Sequence, residues 1–172
     1  MTAASNNAFE DADLNQLAIE LGEQLRTLDE KLATAESCTG GWVAKLITDV
    51  AGSSAWFDRG FVTYSNAAKQ EMLGVAANLL ERYGAVSAEV VAAMTAGALA
   101  HSQADWAVAI SGIAGPDGGS EDKPVGLVWF AWQHKAAEAG VESRIFEGDR
   151  EAVRRQACAF ALQALLTRLQ TT

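Results

Sequence analysis

Apolar residues recur along the chain with two spacings, one typical of helices and one typical of strands. Leucines between positions 14 and 28 follow the i, i+3, i+7 spacing of a helix with one buried face, and Asp11 or Asp13 could be its N-cap. Near-continuous apolar runs at 31–35 and 106–110 favour short buried strands. The chain therefore opens with a helix that is followed by a strand.

The remaining segments continue to alternate between the two types. The pattern next predicts a helix at 42–50 and a strand at 56–64, with a bulge or a close backbone approach at Gly60. A short helix carrying Lys69, a second short segment ending at 83–84 and a long helix capped by Ser87 follow. Beyond the strand at 106–110, strands at 126–133 and 141–146 are expected to form a hairpin, and a final helix begins near 149.

This alternation predicts an α/β fold, a single three-layer α/β/α domain. The hairpin near the end of the chain makes an all-parallel sheet improbable, so we expect a mixed, mostly parallel sheet. A length of 172 residues fits one domain, which we place at 14–172, and the small polar segment 1–13 is expected to be a flexible N-terminal lead-in.

Charge and cysteine content narrow the possible functions. A net charge of −9 and a pI near 4.6 disfavour extended nucleic-acid binding. No apolar run approaches the roughly 20 residues of a membrane span, and the first residues lack a signal-peptide pattern, so a cytoplasmic protein without membrane contact is expected. Cys38 and Cys158 stand far apart with no Cys/His cluster, which indicates neither a disulfide framework nor a metal site.

The polar, glycine-rich stretch 35–41 lies between the first strand and the second helix. Such a turn places side chains and free N–H groups at the carboxyl end of a strand, where ligands of open α/β sheets bind. Ser37 could be a nucleophile there, although a serine at a helix start could equally be an N-cap. Cys38 could be reactive, or simply a small buried residue.

A nucleophilic serine needs a base, and histidine is poorly placed to supply it. His101 and His134 lie at a helix end and in a strand-turn region, and no Gly-x-Ser-x-Gly elbow is present. Lysine can act as a base when burial lowers its pKa, and Lys69 is the best-placed candidate, with an exposed helix lysine as the alternative interpretation. Tyr64 could orient the pair or contact substrate, or pack as an ordinary strand-end tyrosine.

A second glycine-rich segment spans 111–126, and its backbone N–H groups could hold a substrate. It lacks the Gly-Lys-Ser/Thr of a Walker A loop and the GxGxxG of dinucleotide-binding proteins. Basic residues that could hold a phosphate or carboxylate nearby are Arg59, Lys123, Arg150, Arg154 and Arg155.

Five segments together resemble the CinA C-terminal domain family, most closely its stand-alone bacterial members. They are AESCTGG at 35–41, GSSAWFDRGFVTYSNAAK at 52–69, GAVS at 84–87, SGIAGPDGGSEDKPVG at 111–126 and GDREAVRRQ at 148–156. The resemblance covers nearly the whole chain from about Leu14. The additional N-terminal domain that many family members carry is absent from this sequence, so no activity of that domain is expected.

The resemblance implies hydrolysis of nicotinamide mononucleotide to nicotinate mononucleotide and ammonia, in pyridine nucleotide salvage and without a metal or other cofactor. It also implies a homodimer. Ser37 matches the family's nucleophile and Lys69 its base, with Thr39 and Tyr64 at polar positions of the same pocket. The residues expected to contact substrate are Cys38, Gly40, Gly41, Ser111, Gly112, Gly115, and either Arg59 or Arg150 at the phosphate. Two alternatives stay open: a non-catalytic nucleotide-binding module and an amidohydrolase of another small amide.

Overall fold

The computed structural model describes residues 9–171, and its helices and strands follow the predicted order. The elements are α1 Asp11–Leu28, β1 Leu32–Glu36, α2 Trp42–Thr48, β2 Phe57–Val62, α3 Asn66–Leu73, α4 Ala77–Tyr83, α5 Ala88–Ala100, β3 Trp106–Gly112, β4 Leu127–His134, β5 Gly140–Ile145 and α6 Arg150–Gln170, with one 3-10 turn at Ser53–Ala55. Within this described range, no helix is both long and apolar enough to cross a bilayer.

The five strands that the described residues form make one mixed sheet in the order β2-β1-β3-β4-β5. Strands β2, β1 and β3 are parallel, whereas β4 pairs antiparallel with β3 and β5 antiparallel with β4. The α/β fold with a mixed sheet is thus confirmed, and so is the hairpin. The carboxyl ends of β1, β2 and β3 meet at one edge of the sheet, where parallel strands usually present a site.

Helices cover both faces of the sheet, which gives the predicted three layers. Helices α1, α2 and α6 pack on one face against large side chains such as Val108, Ile110 and Phe130. Helices α3, α4 and α5 cover the other, where the sheet presents alanines: Ala33, Ala35, Ala107, Ala109 and Ala131. Because alternate residues of a strand point to opposite faces, the Ala-Val-Ala-Ile pattern of β3 builds both surfaces at once.

This alanine surface lets α5 lie close to the sheet and to its neighbour α3. Gly97 of α5 faces the end of α3 so closely that an added Cβ would stand 2.0 Å from the carbonyl oxygen of Leu73. Glycine at position 97 therefore sets how closely α5 approaches α3. The short helix α3 is held firmly as a result, and it carries Lys69.

Four local predictions need correction. The N-cap of α1 is Glu10, whose backbone N–H donates to the Asp13 carboxylate at 2.8 Å, so neither predicted aspartate is the cap. Residues 11–13, expected in the lead-in, form the first turn of α1, while residues 1–8 lie outside the described range. The register of β1 and β2 shifts between Leu32 and Ala33, opposite Asp58, and not at Gly60. Strand β3 continues through Ser111 and Gly112, which were expected in a loop.

The other prediction for Gly60, a close approach of its backbone to a neighbouring element, is confirmed. An added Cβ there would lie 2.8 Å from the Thr34 hydroxyl oxygen and 3.3 Å from the Ala44 Cβ. Glycine at this position therefore lets β2 and α2 pack against β1, next to the turn that carries Ser37.

Candidate active site

The stretch 37–41 is a tight turn that joins β1 to α2. The Ser37 N–H donates to the carbonyl oxygen of Ile110 on β3 at 2.9 Å, which holds the serine at the sheet edge. Gly40 and Gly41 have φ values of 60° and 100°, a region that glycine adopts without strain. These two glycines allow the chain to reverse into α2 within a few residues, and Gly41 is the N-cap position of that helix.

Glu36 fixes this turn from inside the protein, a role that the sequence reasoning missed. Its buried carboxylate accepts the Thr39 hydroxyl at 2.7 Å and the N–H groups of Val43 and Ala44 at 2.8 and 3.1 Å. Burial raises the pKa of the Glu36 carboxyl, and these hydrogen bonds oppose that rise. A carboxylate near the start of α2 was the available sequence signal, since helix N-termini favour acidic groups.

Lys69 is buried, with 1% of its surface exposed, and its Nζ has three oxygen neighbours. The Ser37 Oγ lies at 2.9 Å, the Thr63 carbonyl oxygen at 2.8 Å and the Tyr64 carbonyl oxygen at 3.2 Å. Among residues 9–171, no carboxylate forms an ion pair with this amine. Burial therefore dominates and lowers the pKa of Lys69 to about 8.

The three oxygens constrain how the neutral amine is oriented. A neutral amine has two N–H donors and one lone pair, and a carbonyl oxygen can only accept. When both N–H groups donate to the Thr63 and Tyr64 carbonyls, the lone pair is left for the Ser37 hydroxyl. In the protonated form all three N–H groups donate, and the Ser37 hydroxyl can turn to the Tyr64 carbonyl, 3.4 Å away.

A cavity of about 230 Å³ opens beside this pair of residues. Residues from five separate parts of the chain line it: Ser37, Cys38, Tyr64, Lys69, Ala85, Val86, Ser111, Gly112, Ala114 and Arg150. Besides Arg150, this lining includes six residues predicted to be catalytic or to bind substrate: Ser37, Cys38, Tyr64, Lys69, Ser111 and Gly112. The structure therefore brings together Ser37, Lys69, Tyr64 and the end of β3, as the sequence predicted.

Arg150, the first residue of α6, closes one side of the cavity. Its guanidinium donates to the Gly115 carbonyl oxygen at 2.8 Å and to the Tyr64 hydroxyl at 3.2 Å. It also lines a second, adjoining cavity of about 650 Å³, which shares Ala114 and Arg150 with the first. A cation thus stands at the junction of the two cavities.

Other predicted contacts are not in the small cavity. Arg59 pairs in register with Ala33, several residues before the end of β1, and its guanidinium is bound to Asp58 and to the His101 carbonyl. The Thr39 hydroxyl is turned towards Glu36. Gly40, Gly41 and Gly115 do not line this cavity.

The cysteines and histidines offer no competing chemistry at this site. Cys38 and Cys158 are buried free thiols, and burial raises the pKa of Cys38 to about 12, which leaves it protonated at neutral pH. His101 contacts the Gly97 carbonyl, and His134 contacts Glu30, both outside the cavity. In the described part of the chain, no group of three or more His, Cys, Asp or Glu side chains is placed to hold a metal ion.

Arg154 contacts the other side of the 37–41 turn. Its Nε donates to the Cys38 carbonyl oxygen at 3.0 Å and its Nη2 to the Thr39 carbonyl oxygen at 3.2 Å, while the guanidinium lies 5.5 Å from the ring centre of Trp42. Sequence reasoning included Arg154 only among several basic candidates. A contact between α6 and a turn more than a hundred residues away left no local signal.

Comparison with known proteins gives consistent matches over nearly the whole chain. The family model described as the CinA C-terminal domain matches residues 14–169. Nicotinamide-nucleotide amidohydrolase PncC of Escherichia coli (strain K12) is 59% identical over 155 residues, covering 90% of this chain and 94% of that protein. The protein of the same name from Pseudomonas putida is 57% identical over 153 residues, covering 89% and 95%.

Solved structures give the same result for the fold. The competence/damage inducible protein CihA from Agrobacterium tumefaciens matches with a TM-score of 0.88 and 41% identity, covering 97% of this chain and 98% of that one. A competence-damaged protein (CinA) superfamily protein from Escherichia coli matches with a TM-score of 0.88 and 36% identity, covering 97% and 94%.

Proposed function

Because the chain belongs to the CinA C-terminal domain family, we propose that it hydrolyses the carboxamide of nicotinamide mononucleotide, releasing ammonia and nicotinate mononucleotide. The names of the similar PncC proteins support this substrate. The main structural support for this reaction is the position of the buried Lys69 side chain: its Nζ lies 2.9 Å from the Ser37 Oγ, at the wall of a cavity. This pair has the geometry of a nucleophile and its base.

In the first step, neutral Lys69 takes the hydroxyl proton of Ser37 as the Oγ attacks the carboxamide carbon. A C–O bond forms and the carbonyl π electrons move to oxygen. With its pKa near 8, Lys69 is neutral in a useful fraction of molecules at neutral pH and can still hold the proton that it receives. The Thr63 and Tyr64 carbonyls then stabilise the resulting ammonium.

The oxyanion needs N–H donors, and the turn restricts which ones are available. The Gly40 N–H already donates to the Ser37 carbonyl at 3.1 Å, and the Gly41 N–H stabilises the Glu36 carboxylate. Within residues 9–171, the N–H groups of Cys38 and Thr39 have no backbone acceptor. Cys38 lines the small cavity, whereas Thr39 is fully buried and does not, so we assign the oxyanion to the Cys38 N–H.

Collapse of the tetrahedral intermediate breaks the C–N bond, and the leaving nitrogen takes the proton from Lys69 to depart as ammonia. The acyl-Ser37 ester is then attacked by water. Lys69 accepts the water proton and returns it to the Ser37 Oγ as the ester breaks. The product is a carboxylic acid, and the lysine is neutral again at the end of the cycle.

Arg150 is the cation best placed to bind the substrate's phosphate. It lies at the junction of the two cavities, whereas Arg59 is held by Asp58 and His101 on an earlier part of β2. The pyridine ring would occupy the small cavity beside Ser37. The ribose phosphate would extend past Arg150 into the larger one.

Ammonia release from purified variants tests the dyad. Ser37→Ala should lose at least about a thousandfold in kcat, and Lys69→Met should do the same, because each removes one reacting group. Lys69→Arg keeps the charge but cannot accept a proton, so kcat should fall by a similar factor with a smaller change in KM. Lys45→Arg, on the exposed face of α2, is the matched control. Near-normal turnover by folded Ser37→Ala or Lys69→Met protein would disprove the mechanism.

A substrate panel separates this proposal from its rivals. Ammonia released faster from another small amide than from nicotinamide mononucleotide would indicate a different amidohydrolase. Binding of the nucleotide without any ammonia would indicate a non-catalytic binding module. A role in pyridine nucleotide salvage, a cytoplasmic location and a homodimeric state stay predictions.

A further inference from the structure

Arg154 is the one side chain of α6 that bonds directly to the carbonyl oxygens of the Ser37 turn. It donates from two different nitrogens to two consecutive carbonyls, those of Cys38 and Thr39. A guanidinium is a rigid planar fork, so such a pair of bonds fixes direction as well as distance. The two carbonyls therefore point towards α6.

A carbonyl held in this way also determines where the next N–H points. The peptide bond is planar and trans, so the carbonyl of one residue and the N–H of the following residue point in opposite directions. By binding the Cys38 carbonyl, Arg154 turns the Thr39 N–H away from α6. Together with the Trp42 N–H, Arg154 also holds the Thr39 carbonyl, which directs the Gly40 N–H to the Ser37 carbonyl. That carbonyl belongs to the same planar peptide as the Cys38 N–H, so the orientation of the Cys38 N–H is fixed as well.

The opposite side of the turn is held by Glu36, so the two charged residues act from both sides. Glu36 accepts the Thr39 hydroxyl and the first N–H groups of α2. Arg154 donates hydrogen bonds to the carbonyl oxygens of Cys38 and Thr39. Within residues 9–171, the N–H groups of Cys38 and Thr39 have no backbone acceptor, and of these two residues Cys38 lines the small cavity.

We propose that Arg154 is a positioning residue for the reaction: by holding the Cys38 and Thr39 carbonyls, it fixes the turn backbone so that the Cys38 N–H, at the wall of the small cavity, is presented to the oxyanion. This inference rests on the proposed function, because it assigns Arg154 a part in that hydrolysis. Arg154 has no direct contact with Ser37 Oγ or Lys69 Nζ and acts through the turn backbone alone.

Arg155 provides a matched control next to it in the sequence. Its guanidinium lies 5.1 Å from the same Trp42 ring, but it bonds to Glu151, Asp11 and the Phe9 carbonyl instead of the turn. Loss of either arginine removes one positive charge and one contact with Trp42. Only loss of Arg154 removes a donor from the turn: the Cys38 carbonyl loses the guanidinium, while the Thr39 carbonyl keeps the Trp42 N–H at 3.0 Å.

The test compares Arg154→Met, Arg154→Lys and Arg155→Met with the wild type. Ammonia release from nicotinamide mononucleotide gives kcat and KM, and a small alkyl fluorophosphonate gives the rate of covalent labelling at Ser37. In labelling, the Ser37 Oγ forms a bond to phosphorus, fluoride leaves with the P–F electrons, and Lys69 takes the proton. The phosphoryl oxygen needs the same N–H donor as the carboxamide oxyanion.

We expect Arg154→Met to lower kcat by about 10- to 100-fold, less than or equal to the loss of an oxyanion donor itself. KM and the pH midpoint should change little, labelling should slow by a similar factor, and Arg154→Lys, which can reach one carbonyl, should fall between Met and wild type. Arg155→Met should retain near-wild-type values in both assays.

Several results would overturn the inference. A higher KM with unchanged kcat would make Arg154 a substrate-binding residue, since it lines the larger cavity. Equal losses in Arg154→Met and Arg155→Met would reduce it to a general effect of charge or packing. If the wild type labels at Ser37 but releases no ammonia, the proposed substrate is wrong and labelling alone decides the role of Arg154. A wild type inert in both assays would refute both proposals. Arg154→Lys supplies the comparison if Arg154→Met does not fold.

Discussion

The dependence of activity on pH is the most direct test of a neutral lysine base. Lys69 is buried without a carboxylate partner, and its pKa is lowered to about 8. A base must be neutral to act, so the active fraction is about 9% at pH 7, about 50% at pH 8 and about 91% at pH 9. We therefore expect kcat/KM for nicotinamide mononucleotide to rise about tenfold from pH 7 to pH 9 and then level off.

Other groups of the site should not disturb this profile. The thiol of Cys38, with a pKa of about 12, stays protonated throughout. Burial holds the pKa of Lys69 below its unfolded value of 10.5. Between about pH 8 and 10.5 this residue therefore binds more protons in the unfolded chain than in the folded protein, and its contribution to the stability of the fold increases as the pH rises. Unfolding driven by Lys69 cannot therefore cause a fall in rate above pH 8.

The assay is a fixed-time ammonia measurement at substrate concentrations well below KM, in buffers of constant ionic strength from pH 6 to 9.5. Lys45→Arg should have the same midpoint as the wild type, because Lys45 is exposed and bound to Asp49. A flat profile over this range, or a rate still rising with unit slope at pH 9.5, would refute a lysine base with a lowered pKa. So would a rate that falls between pH 7 and 9.

Two further predictions concern stability and are read by chemical denaturation. Gly97→Ala should destabilise the protein by about 3 kcal/mol or more, because its Cβ would lie 2.0 Å from a backbone oxygen of α3. The control Gly74→Ala, with nothing within 4 Å of the added Cβ, should cost only about 1–2 kcal/mol, because of its left-handed φ of 67°. Equal costs for the two variants would contradict the close packing of α5. Glu36→Ala should cost about 2–4 kcal/mol, because it leaves the Thr39 hydroxyl and two N–H groups of α2 without an acceptor; a loss under about 0.5 kcal/mol would refute the role of Glu36 in the turn.

The order of helices and strands was largely predictable from the sequence because each element has a strong local pattern. The Ala-Val-Ala-Ile alternation of β3 and the leucine spacing of α1 each follow from one buried face. Boundaries were less predictable. The capping box of Glu10 and Asp13 depends on side-chain geometry that neither residue type specifies alone.

Within the site, residues of the turn and of β3 were predictable, while the residues that hold them were not. Ser37 stood out because serine in a strand-turn-helix is chemically distinctive. Glu36 looked like the end of a strand, and its three bonds to the next helix are visible only once the chain has folded back. Arg154 and Arg59 looked alike in the sequence, yet one binds the turn and the other binds Asp58 and His101.

The dispersal of the site over the chain has a consequence for how it forms. Ser37 follows β1, Lys69 lies on α3, Ser111 is the penultimate residue of β3, and Arg150 and Arg154 lie in the first turns of α6. Each of these parts is separated from the next by at least 30 residues of chain. Bringing such distant segments together costs loop-closure entropy that only the packed sheet and helices can offset. Catalytic competence should therefore be a property of the complete fold, gained and lost cooperatively, and no excised segment should retain a part of it.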